Sequence, residues 1–252
     1  MSMYERGVLS APARQNPSGR TTQKGLRKLG LEDGRDGLLY VPQSYRPDLK
    51  FPMIVMLHGA GGNSQSSIAF LQDLADHTGF IILAPDSRKS TWDVIIENYG
   101  PDVEFIDRAL NSVFSLYPVD RDHLAIAGFS DGATYALSLG ITNGDLFSHV
   151  IAFSPGFVIP GDQRGSPSLY VAHGVWDQVL PIDHCSRRMV PALIKANYNV
   201  KYREFGGGHL IPGSVARDSI TWFLGPQEQR RAAASMVPET MSGIELESPH
   251  LF

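Results

Sequence analysis

Four short stretches of the chain hold residues that could do chemistry together. The first is Gly128-Phe129-Ser130-Asp131-Gly132, which follows the apolar run Leu124-Ala125-Ile126-Ala127 and precedes Ala133 to Leu139, small and apolar without proline or glycine. These flanks predict a buried strand, a sharp turn and a helix. In that setting, glycines at 128 and 132 leave room where a Cβ would collide with the neighbouring strand and helix, and the turn pushes the Ser130 hydroxyl into the open. The free N–H groups and positive end of the helix then face a position where negative charge can develop. Ser130 is therefore read as a nucleophile, against the competing reading of an ordinary strand-to-helix turn.

A serine hydroxyl is a poor nucleophile near neutral pH and needs a base, most often a histidine oriented by a carboxylate. The chain order nucleophile, acid, histidine goes with a GxSxG turn, which leaves His149, His173, His184, His209 and His250 as candidate bases. His209 follows the strand-like run Val200 to Phe205 and three glycines that let the backbone turn the imidazole inward. His149 and His173 lie at or inside strands and read as structural; His184 opens a helix and His250 sits in the tail. For the acid, Asp177 stands five residues past the strand 169–172, in His173-Gly174-Val175-Trp176-Asp177, where a loop carboxylate can reach the next strand's loop. Asp183 is the rival and is better explained as the N-cap of a helix over Ile182 to Asn197. Asp162 falls on a longer loop and ranks third.

The remaining stretch, His58-Gly59-Ala60-Gly61-Gly62-Asn63, ends the apolar run Met53 to Leu57. It lacks the Gly-Lys-Ser/Thr ending of a phosphate loop and the GxGxxG spacing of a dinucleotide site. With a nucleophile at 130 it reads as a source of backbone donors, so that the N–H groups of Ala60 and Asp131 together would hold a tetrahedral oxyanion. A tight strand-to-helix turn is the alternative.

The elements that must position these motifs alternate along the chain. Leu26 to Leu31 and Gly37 to Val41 read as edge strands, and 53–57, 80–83, 124–127, 150–153, 169–172 and 200–205 as further strands. Residues 64–77, 103–117, 182–197 and 216–224 read as helices, the third kinked by Pro191. Such alternation predicts an α/β fold, a three-layer α/β/α sandwich on a mostly parallel sheet, with the site at the carboxyl ends of the strands. The 252 residues show no composition break inside that stretch, which gives an N-terminal arm over 1–25, one domain over 26–225 and a C-terminal tail over 226–252, read as mobile. A net charge of −4 without Lys/Arg clusters argues against a nucleic-acid partner. The single cysteine, Cys185, excludes an intrachain disulfide and a thiolate metal site. Without a secretory leader or an apolar membrane span, the sequence reads as cytoplasmic.

Taken in order, His58-Gly59-Ala60-Gly61-Gly62, Gly128-Phe129-Ser130-Asp131-Gly132, His173-Gly174-x-x-Asp177 with Val179-Leu180-Pro181-Ile182 after it, and Gly208-His209 resemble the α/β-hydrolase superfamily. Within it the chain is similar to the lidless phospholipase/carboxylesterase group, including bacterial esterases related to polyhydroxybutyrate depolymerases. The resemblance implies a serine esterase acting on a small-molecule acyl ester through Ser130, His209 and Asp177, with Ala60 and Asp131 as oxyanion donors and no metal or organic cofactor. Two departures bear on the substrate: Asp131 stands where many members carry Gln, and Trp176 where a small or charged residue is usual. Only residues 155–167 separate two strands where a lid would be inserted, so the wall of an open site must set acyl selectivity. Trp92, Phe157 and Trp176, bulky and on loops at strand ends, are expected to form that wall and to favour short acyl groups, with a plain core contact as the competing role for such residues. A thioesterase or lysophospholipase on the same triad stays open, as does a non-catalytic ligand-binding protein of this fold.

Overall fold

The computed structural model describes residues 1–11, 19–159 and 161–235. Among them the strands are β1 (Gly25–Lys28), β2 (Gly37–Val41), β3 (Phe51–Leu57), β4 (Ile81–Pro85), β5 (Val119–Phe129), β6 (His149–Phe153), β7 (Ser168–Gly174) and β8 (Val200–Phe205). The helices are α1 (Ser64–Thr78), α2 (Asp93–Ile96), α3 (Pro101–Leu116), α4 (Asp131–Thr142), α5 (Ser186–Lys195) and α6 (Gly213–Ser235). The strands form one sheet in the order β1-β2-β4-β3-β5-β6-β7-β8. The β1–β2 and β2–β4 pairings are antiparallel and the others parallel.

Every residue of β3 and β4 is buried, as a strand covered on both faces requires. Alternate residues serve opposite layers. Met53, Val55 and Leu57 of β3 face a core shared with α3, α4 and α5, whereas Ile54 and Met56 face one shared with α1 and α6. The result is the expected three-layer α/β/α sandwich, with two edge strands added to a parallel sheet. Parallel register then brings the motifs to one edge: Leu57 pairs with Gly128, Phe129 with Phe153, Phe153 with Ala172 and Gly174 with Phe205. Among the described residues no helix is long and apolar enough to cross a membrane.

Some elements differ from the sequence expectation. Trp92, expected on a loop, stands at the start of the single turn α2. Helix α5 starts at Ser186, and Pro191 lies within it. The last helix does not end at Leu224: it breaks at Gly225 (φ 62°, ψ 174°) and resumes to Ser235, while 236–252 lie outside the described residues. The expected arm is also partly docked. Residues 4–6 form a 3₁₀ turn, the Leu9 N–H donates to Asn143 Oδ1 (2.8 Å) and the Asn143 amide donates to Gly7 O (2.7 Å). Ser10 and Ala11 donate their N–H groups to Asp107 Oδ1, each at 2.7 Å. Glycine at 7 is required, because φ is 72° and a Cβ would sit 2.9 Å from the Tyr99 ring. Residues 12–18 of that arm lie outside the described residues.

Asn143 is buried at the C-terminus of α4 and satisfies two main-chain groups of the docked segment. Asn143→Ala should therefore lower stability by about 1–3 kcal/mol, the cost of leaving buried polar groups unpaired. Urea unfolding monitored by tryptophan fluorescence measures it; an unchanged midpoint would show that the docking contributes nothing.

Candidate active site

Strand β5 ends at Phe129 and α4 begins at Asp131, so Ser130 alone makes the turn. It does so at φ 57° and ψ −120°, a region that costs a non-glycine residue about 1–3 kcal/mol and persists only where the surroundings impose it. The surroundings are tight main-chain contacts. The Ser130 N–H donates to Phe153 O (3.0 Å), and Ser130 O accepts from Ala133 and Thr134. A Cβ at Gly128 would lie 2.1 Å from Gly132 O, and one at Gly132 would lie 2.4 Å from Leu57 O and 2.5 Å from His58 O. The two glycines thus let strand, turn and helix meet backbone to backbone.

Three of the residues expected to act together do converge. His209 Nε2 lies 2.9 Å from Ser130 Oγ, and His209 Nδ1 lies 2.6 Å from Asp177 Oδ2. The carboxylate can only accept, so Nδ1 carries the proton and Nε2 presents its lone pair to the hydroxyl. Asp177 Oδ1 accepts from the N–H groups of Val179 and Leu180, both at 2.9 Å. Burial pushes the Asp177 carboxyl up, but the donors from His209, Leu180 and Val179 outweigh burial and hold it below the usual carboxylate range. The loop carrying His209 is stitched to the Asp177 turn by Trp176 N–H to Gly207 O (3.0 Å) and Val175 N–H to Phe205 O (2.9 Å).

The rivals lie elsewhere. Asp183 is exposed and pairs with Arg187 (2.9 Å). It is not a helix cap, because Cys185 occupies that position. His149 stands at the start of β6, the opposite end of the strand from the site, between His123 and Trp222. Burial and the neighbouring His123 lower it to about 4. His250 lies outside the described residues.

Asp131 is the first residue of α4, so its N–H is one that the helix cannot satisfy internally. Among the described residues none accepts from the N–H of Ala60. The loop carrying Ala60 abuts Ser130, since a Cβ at Gly59 would be 3.3 Å from Ser130 Cβ. Four contacts hold it: Gly61 N–H to Ser90 O (2.7 Å), Gly62 N–H to Gly59 O (3.0 Å), His58 Nδ1 to Gly59 O (2.8 Å) and Arg35 to Gly62 O (3.1 Å). His58 Nε2 accepts from Ser87 N–H (3.0 Å), which fixes the tautomer, and burial lowers the pKa of the ring. Asp131 Oδ2 accepts from the Thr91 hydroxyl at 2.7 Å. Arg35 and Thr91 went unnoticed in the sequence, having no motif around them.

The expected wall needs one correction. Trp92 is 0% exposed, so it lines no open site. Its indole N–H donates to His58 O (2.8 Å) and its ring stacks on Tyr135, making it a spacer between the Ala60 loop and α4. Its own segment is pinned by two carboxylates. Asp93 accepts from Gly100 N–H, Asp102 N–H and the Tyr135 hydroxyl, and Asp102 accepts from Asp93 N–H. Phe157 and Trp176 are 50% and 69% exposed. Val179, two residues past Asp177, and Leu210, directly after His209, are also exposed, at 65% and 48%. Among the described residues no group of three or more His, Cys, Asp or Glu could hold a metal ion.

A Cβ at Gly174 would lie 2.4 Å from both Gly207 O and Gly208 O, backbone atoms that cannot swing aside. Gly174→Ala should displace the His209 loop, costing about 1–3 kcal/mol of stability by overpacking and on the order of 10²-fold in any turnover that depends on His209. Thermal unfolding and ester hydrolysis measure the two effects. Wild-type values in both would show that the contact is slack.

A family model described as "Esterase: Putative esterase" matches residues 30–189, a span that holds Ala60, Ser130 and Asp177 and stops short of His209. Over 186 residues the chain is 28% identical to "Probable feruloyl esterase C" of Aspergillus niger, covering 70% of this chain and 65% of that protein. It is also 28% identical over 159 residues to "Feruloyl esterase C" of Emericella nidulans, covering 60% and 58%. The chain thus spans less than two thirds of the length of these curated relatives. The solved esterase Est2 of the planctomycete Thermogutta terrifontis, with propionate bound, has a TM-score of 0.63 at 18% identity, covering 81% of this chain and 94% of that one, a likeness of fold. With the family model matching more than half of its residues, the chain belongs to this esterase family.

Proposed function

We propose that the protein hydrolyses carboxylic esters by a covalent route. Ser130 attacks the ester carbonyl while His209 Nε2 takes the hydroxyl proton, and Asp177 keeps the imidazole in the Nδ1–H tautomer and steadies the imidazolium that forms. The N–H groups of Ala60 and Asp131 stabilise the tetrahedral oxyanion. His209 returns the proton to the leaving alcohol, and water, deprotonated by the same ring, releases the acid. The observation that carries this reading is the unbroken pair of hydrogen bonds from Ser130 Oγ through His209 to Asp177, at 2.9 and 2.6 Å.

For the substrate, the short connection between β6 and β7 and the half-exposed Phe157 favour an open site without a closing helix. Such a site cannot enclose a long chain, and the reading is an ester of a short acyl acid. A second reading has its own support: the exposed rings of Phe157 and Trp176 could cover a flat aromatic acyl group, and relatives at 28% identity are named feruloyl esterases.

A fluorophosphonate should label Ser130 and no other serine, and Ser130→Ala should abolish turnover. Asp177→Asn should cost about 10⁴-fold in kcat, and Asp183→Asn little; the reverse order would make Asp183 the acid. Because the Asp177 carboxyl is held below the usual carboxylate range, its hold on His209 should persist on acidification through that range and be lost only as the pH falls through the lowered value, which a pH–rate profile of wild type measures.

Across p-nitrophenyl esters, rates should favour acyl chains of about two to six carbons, since pocket contacts discriminate by methylene groups. Trp176→Ala should move the optimum to longer chains. Faster hydrolysis of dodecanoate than of butyrate would overturn this and favour a lysophospholipase or thioesterase. A kcat/KM on methyl ferulate above that on p-nitrophenyl butyrate would establish the aromatic reading.

A further inference from the structure

His173 is fully buried at the carboxyl end of β7, four residues before Asp177. Its Nε2 lies 2.8 Å from Leu180 O and 3.3 Å from Asp177 Oδ2, the same oxygen that holds His209 Nδ1. Its Nδ1 lies 2.7 Å from Ser186 Oγ, at the first residue of α5. A carbonyl oxygen can only accept, so Nε2 carries the proton. Burial lowers the pKa of the ring and keeps it neutral, so Nδ1 keeps its lone pair and accepts the Ser186 hydroxyl proton. The ring is thus locked in one tautomer from the α5 side. The titratable groups around it are Asp177 and His209 on the site side and Glu204, its register partner on β8; the Cys185 thiol sits next to Ser186 in the chain.

The consequence for Asp177 is mechanical. Leu180 both gives its N–H to Asp177 Oδ1 and takes the His173 proton on its carbonyl, so His173 closes the turn that presents the donors for Oδ1. The same Nε2–H lies 3.3 Å from Oδ2, the oxygen that His209 Nδ1 meets. We infer that His173, locked by Ser186, is a positioning residue for the reaction proposed above: it fixes both oxygens of Asp177 so that the carboxylate meets His209 Nδ1 in line. Removing the ring leaves Leu180 O without its donor and frees the turn. A shift of the carboxylate by a fraction of its hydrogen-bond length then propagates to His209 and Ser130, where geometry controls kcat rather than binding.

The test compares His173→Leu, His173→Gln and Ser186→Ala with wild type on p-nitrophenyl butyrate, with thermal unfolding recorded for each. His173→Leu should lower kcat by about 10²-fold with KM little changed, the loss typical of a small misplacement of catalytic groups. His173→Gln, whose amide N–H can reach the position of Nε2–H, should recover most of that loss, a rescue that packing alone would not give. Ser186→Ala should lower kcat by an intermediate factor at unchanged KM. A wild-type kcat in His173→Leu, or Gln no better than Leu in folded protein, overturns the inference. If His173→Leu does not fold, Ser186→Ala decides: reduced kcat at unchanged KM supports the role, and wild-type kcat removes it. Because the inference rests on the triad, Ser130→Ala is assayed alongside. Turnover surviving in that variant would sink the reading of the reaction, whereas a dead Ser130→Ala beside a fully active His173→Leu would sink only the role of His173.

Discussion

The site depends on backbone meeting backbone without a side chain between. At Gly132 the first turn of α4 lies against the last carbonyls of β3, and at Gly128 the end of β5 lies against that same turn. No other residue type fits, and the closeness leaves Ser130 nowhere to go except its strained conformation. Gly174 repeats the device on the other half of the site, where the loop bearing His209 rests on the end of β7. The parallel register of β5 through β8 sets the spacing between these two contacts. Ser130, Asp177 and His209 are therefore placed by the sheet rather than by their own loops, whose flexibility would otherwise blur the geometry.

Polar groups finish what the close contacts begin. The segment between β4 and α3 has little regular structure, yet Asp93 and Asp102 satisfy its main-chain donors much as a sheet would. Burial pushes Asp102 up to about 6, with the Arg88 N–H opposing that rise and the neighbouring Asp93 adding to it. The firm segment gives Trp92 a fixed seat, and Trp92 in turn braces the Ala60 loop through His58 O. Rigidity of this kind holds the backbone donors of the loop in one orientation, which the reaction proposed above requires.

Much of this was readable from residue order because local rules and tertiary demands agreed. Apolar runs such as Met53 to Leu57, bounded by turn residues, read as strands covered on both faces, and GxSxG between a strand-like and a helix-like run placed Ser130 at a turn. What escaped depended on contacts that no local pattern encodes. Trp92 has the composition of a wall residue, and only its burial against Tyr135 and its bond to His58 O reveal a brace. His173 read as an ordinary strand histidine, since its meeting with Asp177 arises from the tightness of the turn between them. Asp183 read as the N-cap of the following helix, but α5 begins at Ser186 and Cys185 holds the cap position. The arm over residues 1–25 lacked periodicity, yet its first part is held by Asp107 and Asn143, far away in sequence.

Those two anchors also order events in the life of the chain. Leu9 and Asn143 are 134 residues apart and Ser10 and Asp107 are 97 apart, so each bond closes a long loop and forms only after α3 and α4 have assembled on the sheet. During synthesis at roughly 5–20 residues per second, residues 7–11 must wait on the order of ten seconds for the last of these partners to be made. A stretch made early thus stays unpaired until anchors far along the chain exist.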